Sequence, residues 1–548
     1  MPWALALLLA GSAQALALAW PFATPALAPL GIHSGEPLPG LQWLALCVLV
    51  LALQRAPGWR SAAWRGWLFS LAWLCGSFWW LYVSMNTYGG MAPALAALAV
   101  LLLAAFLALY YGAAAALFWR WRAAQPWVQA LSFAALWTLA EWARGTWLTG
   151  FPWGAVGYAH VDSLAALAPW VGVYGMGALV AALAAAAVAL AQRHGQAAAA
   201  PAAAPDLHPP SALRAAVAGR APWLLAVLLA LWLPLLLWPS AGVWLAQRAP
   251  TWTVGTGELP VWLLQGNISQ DQKFEPHAGI PLALQWYKEQ TALALDRLDA
   301  AGIPGLVVLP ETAIPLLPQE IDPLWWESFL GRIERGNSAV LIGIPVGNWI
   351  EGYTNSVLGW TPTLQPYQYD KYHLVPFGEF VPPFFQWFID MMQIPLGAYR
   401  PGTLGQAPLE WAGQRIGPNI CYEDLFGEEL AAAFRVAGQT PTVLVNVSNI
   451  AWFGDTVAID QHRQIARLRA LELQRPMVRA TNTGSTVGID HMGRVLAELP
   501  RLTRDVLSVT VEGRTGLTPF ARWAGSWSLW PLVGLAVLAL ALCWRRTD

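Results

Sequence analysis

The sequence contains few charged residues and few cysteines. Only 11% of its 548 residues are charged, whereas about 25% is typical of soluble proteins. This scarcity excludes a disordered chain, a coiled coil and an ordinary cytosolic enzyme. The four cysteines are too dispersed for a disulfide scaffold or a zinc site, so we expect neither a metal nor a cofactor. Basic patches interleaved with aromatic residues are also lacking, and nucleic acid is therefore not an expected partner.

Lysine is scarcer still. Three lysines, Lys273, Lys288 and Lys371, stand among 31 basic residues, so the other 28 are arginine. We attribute this bias to the base composition of the genome. It still makes each remaining lysine informative, because arginine cannot replace a compact ammonium or an amine that must lose its proton.

Long apolar runs dominate the sequence instead. Hydrophobic residues make up 57% of the chain and 35 residues are Trp, which is favoured at membrane interfaces. No charge lies between Arg65 and Arg120, a stretch too long for one membrane helix of about 20 residues and suited to two. By this criterion we predict eight spans, near residues 3–22, 37–54, 66–85, 91–118, 124–143, 163–192, 222–239 and 524–544.

Arginines in alternate loops predict the orientation of these spans. They are Arg55, Arg60, Arg65, Arg120, Arg122, Arg193, Arg214, Arg220, Arg545 and Arg546. Because loops rich in basic residues stay in the cytoplasm, we expect cytoplasmic termini and an outward-facing region 240–523. This region would lie in the periplasm of a bacterium with two membranes. Residues 196–219, rich in Ala and Pro, predict a flexible cytoplasmic loop.

The outward-facing region has the pattern of a folded α/β domain. Short apolar runs at 261–264, 305–309, 339–343, 414–420 and 443–447 predict buried strands, and 281–300, 322–335 and 460–475 predict helices. This alternation predicts a layered α/β fold. We therefore divide the chain into a seven-helix membrane domain (1–239), an α/β domain (240–523) and a C-terminal membrane helix with a short tail (524–548).

Cys421 is the only cysteine of the α/β domain. It has no partner there for a disulfide, and it follows a predicted strand. A lone thiol facing an oxidising compartment is a liability unless it is used. The residue is therefore either a nucleophile or a buried core cysteine.

Two further segments carry side chains suited to activating a thiol. Glu311 follows a predicted buried strand, a position where α/β folds keep catalytic groups, although solvated turns also place Glu there. Lys371 and Glu379 lie in an apolar loop shaped by Pro and Gly, and this neighbourhood contrasts with a solvated surface lysine. A carboxylate can accept the proton of a thiol, and an ammonium can stabilise a thiolate or an oxyanion.

The order Glu311, Lys371, Cys421 resembles the catalytic triad of the nitrilase superfamily. Seven helices before such a domain and one after it resemble, more narrowly, the apolipoprotein N-acyltransferase family. Supporting motifs are Leu148-Thr-Gly-Phe-Pro-Trp153, Gln265-Gly-Asn-Ile268, the loop 371–382, Cys421-Tyr-Glu-Asp424, Ser448-Asn-Ile-Ala-Trp-Phe-Gly454, the segment 469–476 and Gly516-Leu-Thr-Pro-Phe-Ala-Arg522. The resemblance covers essentially the whole chain and implies an αββα sandwich holding the triad.

The resemblance also implies a reaction and its partners. Cys421 would take an acyl chain from the sn-1 position of a phospholipid as a thioester and pass it to the α-amino group of a diacylglyceryl apolipoprotein. The enzyme would lie in the bilayer of a bacterial inner membrane. Glu379, Tyr422 and Glu423 would support the triad, and Phe274, Trp452 and Phe453 would contact substrate.

Two other functions are weighed against this one. A membrane-tethered amidase of the nitrilase type would keep the triad without needing seven membrane helices. A non-catalytic membrane receptor or transporter would place buried polar residues in the spans, and few are present. Two local expectations are an exposed His462 on a helix surface and an ion pair between Glu141 and Arg144.

Overall fold

The computed structural model describes residues 2–123, 125–199, 212–348, 350–382 and 399–544. The tail arginines Arg545 and Arg546 and half of the predicted loop 196–219, residues 200–211, lie outside these ranges. The described flanks of that loop, 196–199 and 212–219, are helical and not irregular as predicted.

Nine helices form the first part of the chain that the structure describes. They are α1 (Pro2–Leu16), α2 (Pro39–Gln54), α3 (Trp59–Phe78), α4 (Leu81–Val83), α5 (Pro93–Arg120), α6 (Pro126–Thr146), α7 (Ala168–Ala199), α8 (Ala212–Leu237) and α9 (Pro239–Ala246). A π-helical turn, Ser84–Tyr88, continues α4. Each of the first seven predicted spans coincides with one of these helices.

Fewer of the described helices than the eight predicted spans are long and apolar enough to cross a membrane. Within the described residues, two helices are long and apolar enough to cross a membrane, Pro93–Arg120 and Ala165–His194. Counting three sharply bent helix pairs as spans raises the number to five. The helices α1 and α2 have only 15 and 16 residues, which at 1.5 Å per residue fall short of a hydrocarbon core about 30 Å thick. Eight spans are therefore not confirmed.

The second part of the chain alternates strands with helices. The strands are β1 (Thr253–Gln265), β2 (Leu306–Val308), β3 (Ala339–Asn348), β4 (Gly352–Trp360), β5 (Pro366–Asp370), β6 (Leu409–Trp411), β7 (Gln414–Ile420), β8 (Val443–Ser448), β9 (Met477–Thr481), β10 (Val487–Ile489), β11 (Val495–Glu498) and β12 (Asp505–Gly516). The helices are α10 (Gly279–Ala301), α11 (Pro323–Glu334), α12 (Gly427–Ala432), α13 (Ala458–Leu473), α14 (Pro519–Trp527) and α15 (Trp530–Trp544).

These strands form two six-stranded sheets, β12-β1-β2-β3-β4-β5 and β11-β10-β9-β8-β7-β6. Side chains alternate between the two faces of a strand. In β2, Leu306 and Val308 therefore pack against the other sheet, whereas Val307 packs in the cluster that includes α10 and α11. Helices α12, α13 and α14 share a core with the outer face of the second sheet. The predicted αββα sandwich is thus observed.

Helix α13 joins the sandwich to the membrane-type helices. The buried Gln461 side chain accepts hydrogen bonds from the indole N–H of Trp80 (3.1 Å) and of Trp153 (2.7 Å). Near the same helix, Arg463 pairs with Glu36 at 3.0 Å, and Arg467 pairs with Asp162. These contacts fix the position of the sandwich on the helical part.

Replacing Gln461 tests this junction. Gln461→Ala would leave the buried indole N–H of Trp153 without an acceptor, at a cost of about 1–3 kcal/mol. The Trp80 indole would lose one of its two acceptors, because it also donates to Ser77 O at 3.0 Å. We expect the melting temperature in detergent to fall by several degrees. Gln285→Ala makes the same change at an exposed position of α10, where the glutamine bonds only Glu289, and should melt like the wild type. Equal melting of the two variants would contradict a supporting role for Gln461.

Candidate active site

Three side chains predicted from the sequence follow strands of the two sheets. Glu311 lies three residues beyond β2, Lys371 directly after β5, and Cys421 directly after β7. Strands β1, β2 and β3 run parallel, as do β7, β8 and β9. The carboxyl ends of parallel strands meet at one edge of a sheet. Glu311 lies beyond such an end in the first sheet and Cys421 at such an end in the second, and the two residues, distant in sequence, interact electrostatically.

Cys421 adopts an uncommon backbone conformation. Its φ is +51°, in the left-handed region that L-residues rarely occupy and that is enriched at functional sites. The residue ends the extended β7 and begins a short 3-10 helix, Cys421–Leu425. Its side chain is a partly exposed free thiol. The residue also packs against the core between the two sheets, and its place in a tight turn fits a nucleophile.

Lys371 forms the centre of a buried charge cluster. Its ammonium lies 2.9 Å from Glu379 Oε1 and 3.4 Å from Glu311 Oε1. The Asn355 side-chain amide donates to the same two carboxylate oxygens, at 2.7 Å to Glu311 and 2.8 Å to Glu379. The Lys371 side chain is only 1% exposed, so a solvated surface lysine is excluded.

The remaining oxygens of the two carboxylates bind main-chain amides. Glu311 Oε2 accepts from Asn449 N at 2.8 Å, and Glu379 Oε2 accepts from Val375 N at 2.8 Å. Burial alone would raise the pKa of Glu311, but Lys371 and the hydrogen bond from Asn355 outweigh burial and hold that pKa below its usual value. Burial likewise opposes the charge of Lys371, yet Glu379 and Glu311 raise the lysine pKa above its ordinary value.

The pKa of the Cys421 thiol is raised, whereas that of Glu311 is lowered. Burial first, and then the negative charge of Glu311, raise the pKa of Cys421 to about 12, although Lys371 opposes the change. At neutral pH the proton therefore resides on sulfur, while Glu311 is ionised and Lys371 is charged. This protonation state is compatible with general-base catalysis, in which a carboxylate removes the proton of a thiol as sulfur attacks.

Glu423 ties the turn that carries the thiol to the loop that carries the lysine. Its Oε2 accepts from Ile420 N at 2.6 Å, and its Oε1 accepts from Tyr372 N at 2.8 Å. The Tyr369 hydroxyl lies 3.0 Å from both oxygens. Each of these partners is within three residues of Cys421 or Lys371. Glu423 therefore fixes the position of the thiol relative to the ammonium.

The aromatic residues predicted to support the site or contact substrate divide into two sets. Tyr422 is buried, and its hydroxyl donates to Gly150 O at 3.1 Å. Phe453 packs on Trp80 with ring centroids 4.2 Å apart. Phe274 and Trp452 are 51% and 39% exposed, respectively. Tyr422 and Phe453 therefore contact the membrane-type part of the chain. Trp452 also contacts Tyr88 of that part, with ring centroids 6.1 Å apart, although Trp452 and Phe274 both keep exposed surface.

The predicted exposure of His462 is wrong. The imidazole is 1% exposed and lies 2.8 Å from Asp424 Oδ1 and 3.0 Å from Arg479 Nη2. Helix α13 is covered on several sides, by the second sheet and by α7, and nearly all of its residues are buried. A helical periodicity cannot reveal a helix that is enclosed in this way.

The predicted ion pair between Glu141 and Arg144 is also wrong. Arg144 donates to the Tyr111 hydroxyl at 2.8 Å and to the carbonyls of Phe151 and Trp153 at 2.6 and 2.8 Å. Glu141 accepts from Val156 N at 2.8 Å. Both side chains therefore hold the loop after α6, which contacts Tyr422, instead of pairing with each other.

Sequence reasoning missed three residues of the site. Asn355 and Asn449 are ordinary polar residues within or beside strands, and nothing in their local pattern marks them. Lys273 is 2% exposed and donates to the Glu311 main-chain carbonyl at 3.2 Å. The signal in the sequence that could have pointed to Lys273 was the rarity of lysine. In the described residues, no group of three or more His, Cys, Asp or Glu side chains could hold a metal ion.

Comparison with known proteins agrees with this architecture. A family model described as the apolipoprotein N-acyltransferase N-terminal domain matches residues 5–186, and one described as carbon-nitrogen hydrolase matches residues 284–520. A CN-hydrolase superfamily protein of known structure from Xanthomonas campestris has a TM-score of 0.34 at 19% identity, and the match covers 50% of this chain and 96% of that one.

Full-length relatives give higher identities. An apolipoprotein N-acyltransferase from Verminephrobacter eiseniae is 49% identical, over 96% of this chain and 93% of that protein. One from Ralstonia nicotianae is 43% identical, over 98% of this chain and 97% of that protein. The chain belongs to the apolipoprotein N-acyltransferase family.

Proposed function

We propose that this protein transfers an acyl chain from the sn-1 position of a phospholipid to the α-amino group of the N-terminal diacylglyceryl-cysteine of apolipoproteins, through a thioester on Cys421. The observation that carries the proposal is the buried Glu311–Lys371–Glu379 cluster beside a free, protonated thiol. The names of the full-length relatives supply the class of acceptor.

The first half-reaction moves the acyl chain to sulfur. Glu311 takes the proton of Cys421 as sulfur attacks the ester carbonyl carbon. The ammonium of Lys371 stabilises the oxyanion that forms on the carbonyl oxygen. When the carbon–oxygen bond breaks, Glu311 returns the proton to the leaving sn-1 oxygen. Lysophospholipid departs and the thioester remains.

The second half-reaction moves the acyl chain to nitrogen. The uncharged α-amino group of the acceptor attacks the thioester carbonyl carbon, and Glu311 accepts a proton from that nitrogen. The carbon–sulfur bond then breaks, and sulfur recovers the proton from Glu311. The donor's remnant leaves before the acceptor reacts, so the kinetics are ping-pong.

The helical part gives this chemistry access to lipids. Both substrates keep their acyl chains in the bilayer, and extracting a chain into water costs about 0.8 kcal/mol per CH₂. The loop after α6 touches the site, since Gly150 O accepts from Tyr422 and Thr149 O lies 2.9 Å from His373 Nε2. Cys421 would thus lie at the surface of the membrane, with Phe274 and Trp452 contacting acyl chains.

We place the protein in a bacterial inner membrane, with both termini in the cytoplasm and residues 240–523 in the periplasm. In this arrangement 1–239 and 524–548 are the membrane parts. Eight crossings would require the three bent pairs, the short helices α1 and α2, and helix α6 to count as spans in addition to the two long helices. The loop arginines support the orientation.

A phospholipid with a labelled sn-1 acyl chain tests the proposal. We expect wild-type protein to retain the label in a bond that hydroxylamine cleaves, and Cys421→Ala to retain none. Cys75→Ala, which removes a free thiol from helix α3, is the matched control and should label like the wild type. A diacylglyceryl peptide should then receive the label as an amide.

The rival functions give different results in this assay. An amidase acting on small soluble substrates would not accept the phospholipid acyl chain. A receptor would bind phospholipid without any covalent label. Wild-type protein that acquires no thioester under these conditions would contradict the proposed mechanism.

Glu311→Gln tests the general base. The amide keeps the shape of the side chain but cannot accept the thiol proton, and general-base catalysis contributes about 10²–10⁴-fold. We expect the acylation rate constant to fall by that factor while KM for phospholipid changes less than about threefold. Glu327→Gln makes the same change at an exposed position of α11 and should leave the rate unchanged. A Glu311→Gln variant with the wild-type rate would exclude this residue as the base.

A further inference from the structure

A second lysine adjoins the site without belonging to the proposed triad. Lys273 lies in the turn after β1, where its main-chain N–H donates to Ser269 O at 3.0 Å. Its side chain is 2% exposed, and its ammonium donates to the carbonyl of Glu311 at 3.2 Å. A buried ammonium with one main-chain partner is expensive unless its charge is compensated nearby.

The compensation is the site itself. Among the described residues, the charged group that acts on Lys273 is Glu311, which follows β2; Cys421, which follows β7, acts on it only when the thiol is ionised. The buried cluster contains two carboxylates, Glu311 and Glu379, but only one ammonium in direct contact with them, that of Lys371. With Lys273 the buried charges sum to zero, and without it they sum to −1.

The Glu311–Thr312 turn, in which Lys273 binds the carbonyl of Glu311, is conformationally strained. Thr312, directly after Glu311, has a φ of +49°, in the left-handed region that is costly for a β-branched residue. The turn of Lys273 has a second link to the site, because Gln270 accepts a hydrogen bond of 2.8 Å from Asn449, whose main chain binds Glu311. Glu311 is thus fixed from both sides by the segment after β1.

We propose that Lys273 is a positioning residue for the general base. Its ammonium fixes the Glu311–Thr312 turn through the carbonyl of Glu311, and its positive charge keeps the Glu311 carboxylate ionised in a site with little water. The inference deepens the proposed function and rests on the role of Glu311 there.

The scarcity of lysine supports this role independently. Arginine fills 28 of the 31 basic positions, yet lysine occupies both buried cationic positions of the site. The third lysine, Lys288, lies on α10 with its ammonium 5.6 Å from the ring centre of Trp325. A compact ammonium fits beside the Glu311 carbonyl, whereas a planar guanidinium carries more N–H donors and needs more acceptors. Burial also lowers the pKa of Lys273 to about 8, which Glu311 and Cys421 oppose, so the side chain is charged at neutral pH.

Three variants separate the charge of Lys273 from its hydrogen bond. Lys273→Met removes both, Lys273→Gln keeps a donor without the charge, and Lys273→Arg keeps the charge. The readout is the single-turnover acylation rate from labelled phospholipid between about pH 3 and pH 8, a window that includes the acid limb of an ionised Glu311, with the intact protein in detergent. Lys288→Met is the matched control.

The expected result follows from the sign of the interaction. Lys273 lowers the pKa of Glu311, so losing the charge raises that pKa, and the acylation rate should fall at a higher pH than in the wild type. We expect the acid limb to move up by about one pH unit in the Met and Gln variants, and to stay in place in the Arg variant and in Lys288→Met. If Lys273→Met does not fold, the Gln and Arg variants make the same comparison.

Two outcomes would overturn the inference. One is an unchanged acid limb in Lys273→Gln, which would show that the hydrogen bond alone matters. The other is a wild-type pH profile and rate in Lys273→Met. Failure of the proposed function is distinguishable from both, because the wild-type protein itself would then form no thioester.

Discussion

A single ammonium shared by two buried carboxylates is the constraint on which the site depends. Lys371 contacts Glu311 and Glu379 with almost no exposure to water. Buried charges persist only when they are paired and hydrogen-bonded. Asn355 and the main-chain amides of Asn449 and Val375 supply these bonds. The sandwich delivers them from the ends of its strands and from the loops that follow.

This arrangement decides where the proton lies before reaction. Before reaction Cys421 is a neutral thiol, and Glu311 is an ionised carboxylate that can accept its proton. A permanent thiolate at Cys421 would be unfavourable in a site lined by carboxylates, because the like charges would repel each other. The proton therefore moves only when a carbonyl carbon is present for sulfur to attack, which suits an enzyme that must hold a thioester for a second substrate.

The catalytic turn is also coupled to the helices that face the lipid. Tyr422 and His373 bind carbonyls of the loop after α6, and Arg144 holds that loop from below. The turn that carries Cys421 and the apolar helices thus both bind the loop after α6. Their relative position is fixed, which a reaction between two bilayer-anchored substrates requires.

The sequence was most informative where a pattern is local. The apolar runs at 261–264 and 414–420 became β1 and β7, and Glu311, Lys371 and Cys421 met at strand ends as predicted. Burial set by tertiary packing was not predictable, and His462 was therefore assigned to the surface. Eight membrane spans were not confirmed, because an apolar run does not show where a helix bends or stops short.

The side chains that bind the charged groups of the site were the hardest to predict from the sequence. Asn355 lies in a strand that pairs with β3 and β5, and its amide is indistinguishable in sequence from a solvated one. Lys273 stood out by residue type, but only the fold shows that its turn reaches Glu311. Hydrogen-bond partners of a charged centre come from distant segments, and one sequence contains no periodicity that marks them.

The most direct test of this account is the protonation state of Cys421. In a variant with Cys47, Cys75 and Cys543 replaced by alanine, iodoacetamide would alkylate only this thiol, and its rate reports the thiolate fraction at each pH. Because the pKa of Cys421 is raised to about 12, we expect the rate to be still rising at about pH 10, above the ordinary range of a thiol. A plateau below about pH 8 would show a resident thiolate and would contradict the proposed role of Glu311 as the base.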